Sequence, residues 1–312
     1  MIFLESDKLN KKTLIGNAFL LLTAIIWGSA FVAQRVGMDY VGPLKFVAVR
    51  FWLAVLTLLP IVYLTNLGGK NTEQSPEEYI QSKKPLRIAG FTCGTVLFIA
   101  STLQQFGLVF TSAGKTGFIT ALYIVLVPIF GLFLKQKIGI KCWVGVAFGT
   151  VGIYFLTLTE SLTIQPGDLV VLIGAAFWAI HVLVIDHFNP YVNAAKLSLM
   201  QFAVCATYGT IAMLIFERPS LGSIFNAAIP ILYAGVLSAG VGFTLQILGQ
   251  KNTSPTVASL LLSMEAVFAV IFGFILLKET MSSRELLGCI LMFIAIIISQ
   301  LPSKSVAEPS ET

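Results

Sequence analysis

Glu265 is the residue whose type and position most demand a chemical role. It stands ten positions after Pro255 in the run PTVASLLLSMEAVFAVIFGFILLKE, where Ser263 is its only polar neighbour. About 20 apolar residues at 1.5 Å each cross a ~30 Å hydrocarbon core, which puts this carboxylate near a bilayer midplane. Insertion scales charge roughly 2.5–3.5 kcal/mol for an ionised side chain at that depth, and such groups face a cavity or a partner. Two readings fit. Glu265 is either a structural carboxylate, kept neutral or hydrogen-bonded by a neighbouring helix, or a cavity group that binds a donor on a substrate or exchanges a proton.

Other polar groups share its setting. Gln104, Gln105 and Gln246 are amides inside apolar runs, where they either bond across helices or line a cavity. Trp27 and Trp178 lie too deep in their runs to be interfacial anchors and are expected as aromatic cavity walls. His181 follows Trp178 by three residues and so shares its helix face, as a packing residue or a proton carrier. Arg50 lies within an apolar run and is expected to hold a backbone carbonyl or a partner helix. Arg35 and Asp186 fall near the ends of their runs, within reach of the headgroups. Gly235, Gly240 and Gly242, with Pro230, allow close helix approach or bending.

What is missing narrows the chemistry. The chain has two histidines, and its four cysteines, Cys93, Cys142, Cys205 and Cys289, fall in separate apolar runs. There is no paired set of membrane acids and no GxxxxGK[ST] loop. The expectation is no catalytic site, no metal and no cofactor. An enzyme is disfavoured, and nucleic acid is not an expected partner.

The elements that must position these residues are membrane helices. A hydrophobic fraction of 56%, 11% charged residues and a mean hydropathy of +0.88 exclude a soluble globular domain. The expected fold is an all-α integral membrane protein of ten transmembrane helices. The spans are expected at Ile15–Val36, Leu44–Leu64, Leu86–Phe110, Gly117–Leu134 and Cys142–Leu158, then at Gly167–His187, Lys196–Phe216, Ile224–Gln250, Pro255–Leu277 and Glu285–Leu301. The first is read as a retained span rather than a signal sequence. A polar stretch from Thr65 to Pro85 is the one long connector. Lys and Arg are biased toward the N-terminal side in the first half and balanced in the second, which puts both termini in the cytoplasm.

An internal repeat divides the chain into residues 13–158 and 167–301. Laying residue 16 on residue 167 brings Gly16 onto Gly167, Trp27 onto Trp178, Lys45 onto Lys196 and Phe51 onto Phe202. Laying residue 102 on residue 244 brings Thr102-Leu103-Gln104 onto Thr244-Leu245-Gln246, and Tyr123 onto Glu265. One residue further on, Lys135 meets Lys278. Five spans per half, an odd number, force the halves into opposite orientations: two inverted five-helix repeats, with any site between them. Tyr123 thereby joins the cavity candidates.

The stretches Trp27-Gly28-Ser29-Ala30-Phe31, Ala48-Val49-Arg50-Phe51, Gly117-Phe118 through Pro128, Ser254-Pro255, Ser263-Met264-Glu265 and Lys278-Glu279 resemble, in that order, the EamA family of the drug/metabolite transporter superfamily. Ala266 stands where the family often has proline, and Gln136 where its first repeat often has glutamate. The resemblance implies ten helices, a central cavity, and export or exchange of small organic metabolites such as amino acids. The function expected is therefore a secondary transporter working by alternating access across the plasma membrane. The alternative is a channel-like or structural membrane protein. The partners are a small-molecule substrate, the lipid bilayer and, if Glu265 titrates, protons.

Overall fold

In a computed structural model of the chain, residues 2–68, 76–135, 139–157, 166–218, 221–278 and 282–300 are described, and every regular element among them is helical. The first half contains α1 (Ile2–Gly37), α2 (Pro43–Gly68), α3 (Pro76–Phe110), α4 (Ala113–Thr120), α5 (Tyr123–Phe133) and α6 (Ile140–Thr157). The second contains α7 (Pro166–Phe188), α8 (Ala194–Phe216), α9 (Leu221–Asn226), α10 (Ala228–Leu232), a π-helical segment (Tyr233–Phe243), α11 (Thr244–Gln250), α12 (Pro255–Leu262), α13 (Met264–Leu277) and α14 (Ser283–Gln300). Helix satisfies the backbone internally where lipid offers no hydrogen-bond partner.

Among the described residues, eight stretches are long and apolar enough to cross a membrane: Lys11–Gly37, Pro43–Tyr63, Pro85–Phe110, Ala113–Phe133, Pro166–Tyr191, Ala194–Phe216, Ala228–Gln250 and Pro255–Leu277. The chain is a multi-pass membrane protein. The two other expected spans coincide with α6 and α14, each of 18 residues, which pack along one another. Large apolar side chains on the outer faces, such as Leu56, Phe110, Phe133 and Ile229, are exposed as a lipid-facing surface requires.

Local sequence explains where the helices begin and where they break. Proline opens α2, α3, α7 and α12, where a missing N–H costs no intrahelical bond. Ser112 caps α4 by accepting from the Lys115 N–H at 3.2 Å, and Ser254 caps α12 by accepting from the Val257 N–H at 3.5 Å. The spans that start there are both interrupted midway. The first breaks at Ala121 and Leu122, and the second at Ser263, where the backbone tightens to φ −61°, ψ −14°. At the second break the Ser263 hydroxyl covers the Leu260 carbonyl at 2.7 Å. Both spans then end in a lysine with left-handed backbone, Lys135 at φ 58° and Lys278 at φ 59°, the only non-glycine residues of positive φ among the described residues.

Two expectations need correction. The polar stretch from Thr65 to Pro85 is not a loop throughout: α2 runs on to Gly68 and α3 begins at Pro76. Residues 76–85 are rich in Glu, Gln and Lys, good helix formers that carry a helix beyond the apolar core. Spans four and nine are not continuous helices, since each is two helices meeting at a break. Gln136, Glu279, Leu158 and Leu301 lie outside the described residues, as do residues 69–75 of the connector.

Packing brings the two halves face to face. α3 lies along α7 while α1 lies along α11 and the π-helical segment; α1 meets α13 while α7 meets α4 and α5; α2 lies along α8. The glycines of the π-helical segment permit the close approach expected of them. A Cβ at Gly235 would come within 2.7 Å of Leu53 Cβ, and one at Gly242 within 2.6 Å of Trp27 Nε1. Phe243 ends this segment at the centre of an aromatic cluster, with ring centroids 4.7 Å from Trp27, 5.8 Å from Trp178, 6.1 Å from Phe51 and 5.9 Å from Phe202.

Candidate functional site

A small cavity opens beside this cluster, and six of the eight residues expected in a site line it: Trp27, Gln104, Tyr123, Trp178, Gln246 and Glu265. α1 contributes Trp27, Phe31 and Gln34, and α2 contributes Arg50. Gln104 comes from α3 and Gln246 from α11, while Tyr123 and Glu265 come from the first turns of the half-helices that follow the two breaks. A broken span brings the polar start of a half-helix to membrane depth, where irregular backbone is tolerated beside a cavity.

The two remaining candidates lie outside this lining. His181 is buried and bonds through Nε2 to Gln201 Oε1 at 2.9 Å, with its ring 5.8 Å from Trp178 and 6.0 Å from Phe243. It shares a face with Trp178 as its spacing indicates, but stands behind the aromatic wall. Gln105 turns toward α1 and donates to the Gln34 carbonyl at 3.4 Å.

A guanidinium and a carboxyl group both line the cavity. Arg50 and Glu265 are 3% and 2% exposed, and no ion pair joins them among the described residues. Of the two anchors expected for Arg50, it takes the partner helix: Nη1 donates to Gln34 Oε1 on α1 at 2.7 Å, and the guanidinium carbon sits 4.8 Å from the Phe51 ring centroid. Trp27 is fixed by its indole N–H, which donates to the Ser238 carbonyl at 3.2 Å. Tyr123 and Glu265 interact with each other, yet without good hydrogen-bond geometry, because the Tyr123 hydroxyl and Glu265 Oε1 are both buried atoms lacking a well-formed partner.

That shortage extends around the lining. Among the described residues, Arg50 Nε, Thr120 Oγ1, Trp178 Nε1 and Gln246 Oε1 are buried with no hydrogen-bond partner, while Tyr123 OH and Glu265 Oε1 have only the poorly aligned contact between their own side chains. Buried polar groups are nearly always bonded, so four unpartnered atoms and one poorly aligned pair on one cavity form an unusual concentration of unused donors and acceptors. The space between them is ≈ 30 Å³, room for only a few waters. Among the described residues no cluster of three or more His, Cys, Asp or Glu could hold a metal ion.

Arg50 and Gln34 were not among the expected lining residues, although both carry a sequence signal. Gln34 follows Trp27 by seven residues, two helical turns along the same face, and Arg50 is a lone cation in an apolar run. Phe243 precedes Gln246 by three residues and shares its face in the same way.

Comparison with known proteins agrees with this architecture. The family model described as the EamA-like transporter family matches residues 14–158 and 165–301. An uncharacterized transporter of Archaeoglobus fulgidus is 30% identical over 93% of this chain and 87% of its own length. The uncharacterized inner membrane transporter YedA of Escherichia coli K12 is 26% identical over 91% of this chain and 92% of its own. A solved crystal structure shares the fold with a TM-score of 0.71 at 17% identity, covering 93% of this chain and 98% of that one. Two matched segments span nearly all of a multi-pass chain built around a polar cavity, and on that ground this membrane transporter belongs to the EamA-like transporter family.

Proposed function

We propose that the chain is a secondary transporter, an exporter or exchanger of small organic metabolites such as amino acids. It would work by alternating access across the plasma membrane, with both termini in the cytoplasm. On this reading it performs no covalent chemistry, needs no cofactor and binds no nucleic acid. Its architecture is ten spanning helices in two inverted repeats, residues 13–158 and 167–301, with α6 and α14 as the fifth and tenth spans.

Fine structure supports the repeat, because local features recur at matched positions. The serine caps at Ser112 and Ser254, the breaks at Ala121-Leu122 and Ser263, and the left-handed Lys135 and Lys278 all correspond. The packing follows the same exchange: α3 with α7 answers α1 with α11, while α2–α8 and α6–α14 answer themselves.

The observation that carries the functional reading is the gathering on one cavity of six residues whose buried polar atoms have no well-formed hydrogen bond among the described residues. A volume of ≈ 30 Å³ is too small for a metabolite, so the halves must move apart to admit one. That closed centre fits an alternating-access cycle better than a channel. The test is counterflow in proteoliposomes loaded with a panel of unlabelled metabolites. A transporter gives uptake of labelled solute that saturates and requires solute inside; uptake that rises linearly and ignores the internal solute would mark a channel.

A further inference from the structure

Two ionisable groups of opposite type share the cavity without an ion pair among the described residues, and they bear on what it recognises. Arg50 is held on one edge by Gln34 and against the Phe51 ring, so its charge is positioned while Nε has no partner. Glu265 lies at the start of α13, beyond the Ser263 break, and its Oε1 has no well-formed hydrogen bond among the described residues, Tyr123 being the polar side chain it meets. Both side chains are more than nine-tenths buried, both line the same cavity, and no ion pair joins them among the described residues. An anionic group beside Arg50 compensates its buried guanidinium, and a cationic group beside Glu265 favours the ionised carboxylate. A ligand of one charge would serve one group and leave the other unused.

We infer that the cavity recognises a zwitterion through both charges, with Arg50 taking a carboxylate and Glu265 an ammonium group. The planar fork of Arg50 matches a carboxylate, and the free Glu265 oxygen accepts from an ammonium donor. Gln246 Oε1 and the Tyr123 hydroxyl supply further hydrogen-bond partners. Trp27, Trp178 and Phe243 provide an apolar wall for the rest of the molecule. This assignment rests on the transporter reading and adds to it which residue reads which end of the substrate.

The experiment compares, for each common α-amino acid, the zwitterion, its carboxamide, which lacks the carboxylate, and its deaminated acid, which lacks the ammonium group. Each competes in counterflow with purified full-length protein, alongside a sugar and an uncharged alcohol. In the wild type, at least one zwitterion should compete tenfold or more better than both of its single-charge analogues. Glu265→Gln should abolish the preference over the deaminated acid while retaining the preference over the carboxamide. Arg50→Gln should do the reverse, and if it fails to fold, the Glu265→Gln arm alone decides. A merely structural loss would lower all three ligands together and would overturn the inference. Saturable counterflow of the sugar or alcohol with no zwitterion effect would overturn it too, while leaving the transporter reading intact. No saturable counterflow of any solute would remove both.

Discussion

Gly242 lies against the Trp27 indole, close enough that a Cβ at that position would come within 2.6 Å of Trp27 Nε1. The same nitrogen donates to the Ser238 carbonyl one turn earlier, so the π-helical segment both seats the ring and fixes its direction. Gly242→Ala should push Trp27 off this seat. Overpacking of this kind costs about 1–3 kcal/mol. The expected outcome is a lower unfolding temperature in detergent together with reduced counterflow. Unchanged stability and transport would mean that the ring is not held there.

Trp27 and Trp178 face each other with centroids 6.3 Å apart, and both line the cavity. Trp27→Ala and Trp178→Ala should each reduce counterflow by tenfold or more while folded protein is still recovered, because aromatic walls supply much of the contact area in such sites. Replacement of Trp178 by Phe, which keeps the stack on Phe243 but removes the unpartnered N–H, should have the smaller effect. Normal transport by both alanine variants would move the site elsewhere.

Lys135 and Lys278 occupy left-handed backbone immediately after their helices, where glycine is the unstrained choice. Lys135→Gly and Lys278→Gly should each stabilise the protein by about 0.5–1 kcal/mol, the relief of strain exceeding the added freedom of the unfolded chain. Thermal unfolding in detergent reads the change. A fall in midpoint for both would show that side-chain contacts outweigh the strain.

The same two lysines test the inverted repeat. In the proposed topology Lys135 follows span four on the cytoplasmic side and Lys278 follows span nine on the outer side. Single cysteines at these positions, in a background lacking the native four, should differ in intact cells. An impermeant maleimide should label the Lys278→Cys protein and not the Lys135→Cys protein. Labelling of both, or the reverse pattern, would contradict the inverted arrangement.

The fold was readable from apolar run length, and the expected ends of spans one, two, six and seven lie within the observed helices. The breaks were not readable, because Ala121, Leu122 and Ser263 are neither glycine nor proline. The repeat led to Tyr123 through its alignment on Glu265, and both line the one cavity. Periodicity had more to give at Gln104 and Gln105: adjacent helical residues point about 100° apart, so one could line the cavity while the other turned to α1. The Arg50–Gln34 bond joins two helices, and no local pattern specifies which side chains meet across such an interface.

The central claim is that Glu265 acts in transport through its charge rather than through its shape. Glu265→Gln preserves volume and hydrogen-bonding capacity but cannot ionise, so counterflow measured from about pH 5.5 to 8.5 in wild type and variant isolates the charge. Size exclusion establishes that both are folded. The account predicts a pH-dependent wild-type rate and a variant that has lost either transport or that dependence. Wild-type rates in the variant at every pH would contradict it and return Glu265 to a structural role.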